Sequence, residues 1–255
     1  MTSEPPVSDA PASDAAGSAA ASVGNPTRGR LGSLRLALMT AGFAAAATLV
    51  AIVAAASREP AAYRGPPIAD RPGAAEASGR FVNGLSALHA AFVREGSWEG
   101  AFAEDDVNCW LAIDLPRNHS GLLPENVTEP RVDLQPRRVM ISARLAIAGL
   151  RPVVTIVLGV RLREPNQLGV TVDEARLGAI PLPAGPILTW MRRRFDRLGM
   201  VTSVRRLDDR SVLVVYIPST HEAGGPSHWL ESLSIADGSV AVAGRTLVRR
   251  EGDGR

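Results

Sequence analysis

Residues 139–163 read VMISARLAIAGLRPVVTIVLGVRLR, and this stretch decides the fold class. Apolar side chains occupy every second position over most of it: Val139, Ile141, Ala143, Leu145 and Ile147, then Val154, Ile156, Leu158, Val160 and Leu162. A period of two is typical of a β-strand with one buried face, because successive side chains point to opposite sides of a sheet. The stretch therefore predicts two consecutive strands, each with one face in the core.

Three further strands are predicted on the C-terminal side, at residues 167–177, 211–217 and 233–248. In the first, the apolar positions change phase near Asp173 or Glu174, which predicts a β-bulge and a bend in the sheet. The last is long enough to fold back on itself, and Asp237-Gly238 suits a tight hairpin turn. Together the strands predict a curved, mainly antiparallel meander.

One amphipathic helix is predicted within the meander, with Pro186 in its first turn. Trp190, Arg193 and Arg197 lie opposite its apolar face. Such a helix can meet anionic lipid headgroups or close over an acyl chain, and the alternative is an ordinary helix packed on a sheet with Trp190 half buried. The candidate ligand-binding residues come from this helix and the corner before it: Leu177, Ile180, Leu182, Ile187, Leu188, Trp190 and Met191.

Two helices are predicted before the strands. Residues 75–94 form the first, because four large apolar side chains share one helical stripe: Phe81, Leu85, Leu88 and Phe92. Acidic residues at 104–106 suit the start of a second helix, residues 106–115, and Pro116 is expected to end it. The order of helices followed by antiparallel strands predicts the α+β class.

The N-terminal part contains a candidate transmembrane helix, residues 36–57. These 22 residues carry no charge, and as a helix they cover about 33 Å, close to the hydrocarbon thickness of a bilayer of ~30 Å. Because the segment ends in Ala54-Ala55-Ala56, a cleaved signal peptide is the main alternative. A buried helix of a soluble protein is the other.

Four regions are therefore expected: a disordered cytoplasmic tail at 1–35, the transmembrane helix, a linker rich in proline and glycine at 58–79, and an extracytoplasmic α+β domain at 80–250. Three arginines precede the membrane segment and three follow it closely, so positive charge does not decide the orientation. A long downstream domain translocates largely regardless of charge, which favours a domain outside the cytoplasm.

Composition excludes several classes of function. All 28 basic residues are arginine, which indicates a GC-rich, bacterial coding background, so individual arginines carry little weight. The net charge of +2 and the aromatic content of 4% argue against a nucleic-acid partner. A single cysteine, Cys109, forms neither an intrachain disulfide nor a cysteine zinc site.

No cofactor, metal site or catalytic residue is predicted. The sequence lacks a nucleophile elbow and a phosphate-binding loop, and His221-Glu222 lacks the second histidine of a zinc helix. The remaining enzyme hypothesis uses Cys109 or dispersed acids such as Glu99 and those at 104–106. The simpler interpretation is that the acids cap a helix and Cys109 is a small buried residue.

Residues 105–111, DDVNCWL, and residues 177–183, LGAIPLP, resemble two motifs of the YpmS-like family of membrane-anchored bacterial proteins of unknown function. The order of elements over residues 80–220 resembles that family as well. The resemblance implies an N-terminal anchor with the domain outside the membrane, and it implies no catalytic residues.

The leading functional hypothesis is a membrane-tethered, non-catalytic, extracytoplasmic binding module whose ligand is a lipid or another component of the cell envelope. It rests on the anchor, the curved sheet and the missing catalytic motifs. The alternatives are an envelope enzyme with a dispersed acidic or cysteine site, and a scaffold for another membrane protein. The sequence leaves the ligand and the oligomeric state open.

Overall fold

The structure is a computed structural model that describes residues 43–60, 63, 66–207, 210–220 and 226–248. The chain divides into two units, Met1–Thr48 and Leu49–Arg255, and the described residues of the first, 43–48, are helical. Among the described residues, no helix is both long enough and apolar enough to cross a bilayer. The predicted tail and residues 36–42 of the predicted membrane segment lie outside the described residues, so the transmembrane helix stays a prediction.

The described residues form four α-helices and ten strands, and the predicted α+β class is confirmed. The helices are α1 (residues 43–56), α2 (Ala74–Phe92), α3 (Glu104–Asn118) and α4 (Ala184–Arg197). The strands are β1 (Gly96–Ala103), β2 (Val127–Gln135), β3 (Arg138–Leu145), β4 (Val153–Glu164), β5 (Gln167–Leu177), β6 (Ile180–Pro181), β7 (Val201–Leu207), β8 (Arg210–Tyr216), β9 (Ser227–Ala236) and β10 (Ser239–Leu247).

The larger of two sheets has the order β2-β3-β4-β5-β8-β7, with β6 paired to β5, and all its pairs are antiparallel. Strands β3 and β4 are the two predicted from residues 139–163. The predicted bulge is confirmed in β5: Val157 of β4 pairs with Glu174 and Leu158 pairs with Val172, so Asp173 is the extra residue.

A second, three-stranded sheet has the order β1-β10-β9. The predicted hairpin at Asp237-Gly238 is confirmed by φ 68° at Gly238, although β9 begins at Ser227 rather than at residue 233. The prediction that both helices precede all strands was wrong, because β1 lies between α2 and α3. Strand β1 pairs with β10 near the C-terminus, and so distant a partner leaves no local signal. The edge strand β7 was not predicted either.

The prediction for Pro116 was wrong, whereas the one for Pro186 is confirmed. Pro116 does not end α3, which continues to Asn118, where the amide donates to the Asp114 carboxylate at 2.6 Å. Helix α4 begins at Ala184, so Pro186 is its third residue and lies in its first turn, as predicted. Proline is tolerated there because the N–H groups of a first helical turn have no intrahelical acceptor.

The main core lies between α4 and one face of the large sheet. Leu188 of α4, 5% exposed, packs with side chains from three strands: Leu158 of β4, Val170 of β5, and Leu213 and Val215 of β8. Met191 and Phe195 of α4 pack against the same cluster. Strand residues of the other parity therefore point to the opposite face of the sheet, away from α4.

The linker predicted for residues 58–79 is largely folded. Helix α2 already begins at Ala74, which shares a buried cluster with Ile68. Tyr63 is 3% exposed, and its hydroxyl donates to the backbone carbonyl of Glu129 at 2.6 Å. Burial raises the pKa of Tyr63 above its ordinary value. Tyr63, Ile68 and Ala74 are thus packed against the domain, where the sequence predicted a spacer.

The C-terminal end of α1 also contacts the domain. The backbone N–H of Ala179 donates to the carbonyl of Ala55 at 2.8 Å, in the turn between β5 and β6. In that turn Gly178 has φ 59°, and a Cβ there would overlap the carbonyl oxygen of Ala56. Nearby, Arg144 of β3 forms ion pairs with both Glu59 and Glu129.

We predict that Gly178→Ala lowers the free energy of unfolding by roughly 1–2 kcal/mol, because an L-residue is strained at positive φ and its Cβ would push the end of α1 away. Thermal or urea unfolding of the full chain measures the change. Gly185→Ala in α4 is the matched control: a Cβ there meets nothing within 4 Å, and we expect no loss of stability. Equal stability of the two variants would contradict the assigned contact.

Candidate functional site

The face of the large sheet opposite α4 contains a groove of about 760 Å³. Its floor follows one row of paired residues across four strands: Arg138 in β3, Gly159 in β4, Thr171 in β5 and Val212 in β8. Neighbouring strands are about 4.8 Å apart, so the row is roughly 14 Å wide. A groove of this size accommodates a small ligand or a segment of a polymer.

Two glycines keep the floor open. A Cβ at Gly159 would lie 2.5 Å from Oγ1 of Thr171, so this strand position admits only glycine without a shift of its neighbour. A Cβ at Gly169 would lie 3.0 Å from Cδ of Arg163. Glycine within a strand weakens it and often marks a close approach of other groups, which here are the side chains that line the groove.

The groove is strongly basic. Five arginines line it, and Asp173 is the one acidic residue among the described lining residues; the arginines are Arg137, Arg138, Arg161, Arg163 and Arg210. Asp208 and Asp209 adjoin Arg210 in the sequence and lie outside the described residues. Among the described lining residues, five positive charges against one negative charge give the groove a field that attracts anions.

Asp173 joins the two sides of the groove. Its Oδ2 lies 3.5 Å from Nε of Arg138, and its Oδ1 lies 3.6 Å from Nη1 of Arg210. Thr171 donates its hydroxyl to Oδ1 at 3.0 Å. The carboxylate side chain is only 17% exposed, although the bulged backbone around it is open. Asp173 therefore holds two arginines from different strands in one site.

The other three arginines keep their charge available. Within the described part of the chain, no carboxylate lies within 4 Å of the guanidinium groups of Arg137, Arg161 or Arg163. Arg137 has φ 63° in the β2–β3 turn, a region that non-glycine residues rarely adopt. Its backbone is fixed by a bond from its N–H to Ile235 and one from the N–H of Val160 to its carbonyl. An arginine guanidinium offers a planar set of donors that matches carboxylate and phosphate groups.

The described lining residues include no cysteine, serine, histidine or lysine. The hydroxyl of Thr171 is engaged with Asp173, whose negative charge is balanced by two arginines. The described lining residues of the groove are therefore suited to binding an anion.

The seven predicted ligand-binding residues lie elsewhere, and none of them lines the groove. Leu188 and Met191 belong to the core under α4, and Ile187 is partly buried. Leu177 and Ile180 pair in the β5–β6 ladder, and the N–H of Leu182 donates to Ala175. Trp190 is 54% exposed on the outer side of α4. The structure divides the set between the core, a hairpin and the outer surface.

A second cavity of about 360 Å³ lies between α2 and the three-stranded sheet and has mainly apolar walls. The polar groups of His228 and Asn166 are engaged in the fold, whereas Nε1 of Trp98 is buried and has no hydrogen-bond partner within the described structure. Nδ1 of His228 lies 2.9 Å from Oγ1 of Thr246, which itself donates to the carbonyl of Phe92, so Nδ1 carries the proton. Asn166 uses its amide twice, on the backbone of His228 and of Leu230. We assign this polar cluster a structural role.

Three residues of the enzyme hypothesis, Cys109, Glu104 and Asp106, serve the fold. Cys109 is 1% exposed within the cluster formed by α2 and α3, and burial raises the pKa of its thiol, with a smaller contribution from Asp105. Glu104 accepts a hydrogen bond from the backbone of Leu134, and Asp106 pairs with Arg80. No group of three potential metal ligands occurs in the described ranges.

Sequence reasoning missed the groove for an identifiable reason. Arginines were discounted as a product of coding background, although Arg161 and Arg163 alternate with the apolar residues of β4. The available signal was their position on the same strand face as Gly159. A face that combines glycine with arginine indicates an open surface for a charged ligand.

Comparison with family models, with curated proteins and with solved structures finds no match to this chain. The resemblance to the YpmS-like family therefore stays a prediction from two short motifs.

We predict that Cys109 of the folded protein reacts with a thiol reagent at least roughly 100-fold more slowly than in denaturant, because its sulfur is buried and mostly protonated. Absorbance after addition of a disulfide reagent measures the rate. The control is Cys109→Ala combined with Ser232→Cys, which places a thiol at an exposed position and should react at once. Rapid labelling of native Cys109 would contradict its structural assignment.

Proposed function

We propose that the protein is a membrane-tethered, non-catalytic, extracytoplasmic binding module whose groove binds an anionic component of the cell envelope. The observation that supports it best is the set of five arginines around a glycine floor. The tether rests on the uncharged residues 36–57 of the sequence. The anionic groups expected of the ligand are phosphates or carboxylates, which arginine binds through paired hydrogen bonds.

The shape of the groove favours a ligand with more than one negative charge. Arg138 and Arg210 stand on different sides of Asp173, while Arg161 and Arg163 extend along β4. The row that joins Arg138 to Val212 crosses four strands. A single small anion would reach only part of this surface, whereas a di-anion or a polymer of repeating anionic units can contact several guanidinium groups.

The lining residues argue against two other ligand classes. None of the described ones is aromatic, so the groove offers no platform on which nucleic-acid bases could stack. Within the described lining, the only aliphatic side chains are those of Leu207 and Val212, besides Pro136, so an acyl chain would find little apolar wall among the arginines. A phosphate-bearing headgroup or an anionic envelope polymer fits the charge.

We predict that Arg161→Gln with Arg163→Gln weakens the binding of tripolyphosphate by at least roughly ten-fold, since hydrogen bonds to charged groups contribute about 1.5–3 kcal/mol each. Calorimetric titration of the full chain in a nonionic detergent measures the affinity, which should fall as salt is raised. Loss of like charges should leave the thermal midpoint unchanged or higher.

Arg245→Gln is the matched control for this pair. Arg245 is an exposed arginine of β10, paired with Glu231 and outside the groove, so its loss should not change the affinity. If tripolyphosphate binds the double variant and the control equally well, the groove is not the site. If the wild-type chain binds neither tripolyphosphate nor a poly(glycerol phosphate), the proposed function is wrong.

A further prediction concerns Asp173. Its carboxylate occupies a position between two arginines that a ligand anion would share, so Asp173→Asn should strengthen tripolyphosphate binding. The gain should be at least about five-fold, which corresponds to a repulsion of ~1 kcal/mol between two charges ~4 Å apart in water. The amide can still accept the hydrogen bond from Thr171. Glu99→Gln, an exposed change on β1, is the control, and weaker binding by Asp173→Asn would contradict the assigned competition.

A further inference from the structure

Helix α4 presents an outer face that neither the core nor the groove uses. Trp190, Arg193 and Arg197 are three and four residues apart and therefore share one side of the helix, opposite the buried Leu188. Trp190 is 54% exposed. An exposed apolar side chain indicates an interaction site when it belongs to a larger exposed apolar patch.

More apolar surface adjoins this face. Leu198 follows the last residue of α4 and is 61% exposed, and Val201, at the start of β7, is 67% exposed. On the other side, Arg194 donates to the carbonyl of Leu122, which brings a third exposed apolar side chain, 54% exposed, next to the helix. We call the surface formed by Leu122, Trp190, Arg193, Arg197, Leu198 and Val201 the α4 face.

The charge of the α4 face is positive and uncompensated. Asp196 is the one acidic residue of α4, and it is engaged by Arg192 at 3.8 Å and by the hydroxyl of Thr202 at 2.6 Å. Within the described ranges, Arg193 and Arg197 have no carboxylate partner; Arg197 donates instead to the backbone carbonyl of Arg193. Tryptophan with arginine and exposed aliphatic side chains is the composition of helices that lie in the headgroup region of a bilayer.

The position of α4 along the chain points to the same partner. Helix α4 follows directly on the β5–β6 hairpin, whose Ala179 N–H is bonded to Ala55. Ala55 belongs to the end of the hydrophobic segment that the sequence predicts to be a membrane anchor. The domain surface nearest to the predicted exit from the bilayer therefore leads into α4.

We propose that the α4 face docks on the surface of an anionic bilayer, with Trp190 at the headgroup level and Arg193 and Arg197 on lipid phosphates. This inference rests on the membrane tether of the proposed function. Because α4 and the arginine groove lie on opposite faces of the large sheet, docking turns the groove away from the protein's own membrane. The ligand of the groove is then an anionic polymer or soluble component of the envelope, and not a headgroup of the same bilayer.

The test uses the full chain reconstituted in vesicles of phosphatidylcholine, or of phosphatidylcholine with an equal amount of phosphatidylglycerol, each containing a brominated lipid that quenches tryptophan. The difference in fluorescence between wild type and Trp190→Phe isolates Trp190 from the other three tryptophans. We expect Trp190 to be quenched in the anionic vesicles and less so in the neutral ones, with the difference reduced by high salt.

Arg193→Gln with Arg197→Gln should lower the ratio of docked to undocked domain by about 30-fold, from ~1 kcal/mol per arginine at an anionic surface. Arg161→Gln with Arg163→Gln, on the opposite face, is the matched control and should leave the quenching of Trp190 unchanged. Thermal unfolding verifies that both double variants are folded.

If the fluorescence of Trp190 is not quenched in either type of vesicle, the α4 face contacts water or a protein partner, and the docking proposal is overturned. Flotation of the vesicles separates this outcome from failure of the tether. A chain that floats but shows no quenching keeps its tether and loses only the docked α4 face. A chain that does not float with either vesicle overturns both proposals.

Discussion

The β-bulge at Asp173 is the constraint that allows β5 to serve two faces of the sheet. Before the bulge, the even-numbered Val170 and Val172 face the core, and after it the odd-numbered Ala175 does, 5% exposed. An unbroken alternation would have turned Glu174 and Arg176 into the core. A buried charge without a partner costs several kcal/mol, so the extra residue is the less costly solution. Glu174 and Arg176 are instead exposed and paired with each other.

The same bulge determines the chemistry of the groove. Asp173 is the inserted residue, and its side chain reaches guanidinium groups from β3 on one side and β8 on the other. Five arginines held on one sheet face repel each other, and a single carboxylate, 17% exposed and bonded to Thr171, offsets part of that repulsion. An arrangement that retains an excess of positive charge in the free protein is stabilised further when an anion binds.

Much of the fold could be predicted from local pattern, and the failures have physical causes. Strands β3, β4, β5 and β8, which lie side by side in one sheet, were predicted from runs of apolar residues in the sequence. The change of phase near Asp173 predicted the bulge in β5. Strand β1 carries Gly96 and Gly100 and pairs with a strand at the far end of the domain, so its conformation is fixed by tertiary contacts. The apolar face of α4 was predicted from helical periodicity. Periodicity does not distinguish a helix that packs on the core from a helix that covers a ligand.

The candidate site was harder to predict than the fold, because a ligand can bind only to side chains that neither pack in the core nor pair with another charged residue. Of the apolar residues that the sequence predicted to bind a ligand, Leu188 and Met191 pack in the core. The arginines that matter differ from the other arginines only in what surrounds them: Arg144 is neutralised by two glutamates, whereas Arg161 and Arg163 have no carboxylate within 4 Å in the described structure. That difference arises from strand register and is absent from composition.

Strand alternation also separates stability from binding along β4. Leu158 and Val160 contribute to the core, while Gly159 and Arg161 between them belong to the groove. Substitutions at odd-numbered positions of β4 can therefore change ligand binding without disturbing the core. Substitutions at even-numbered positions can disturb the core without changing the side chains of the groove. Gly159 is the exception, because its missing side chain leaves room for Thr171, which in turn orients Asp173. A side chain at this one position would alter the groove and strain the sheet together.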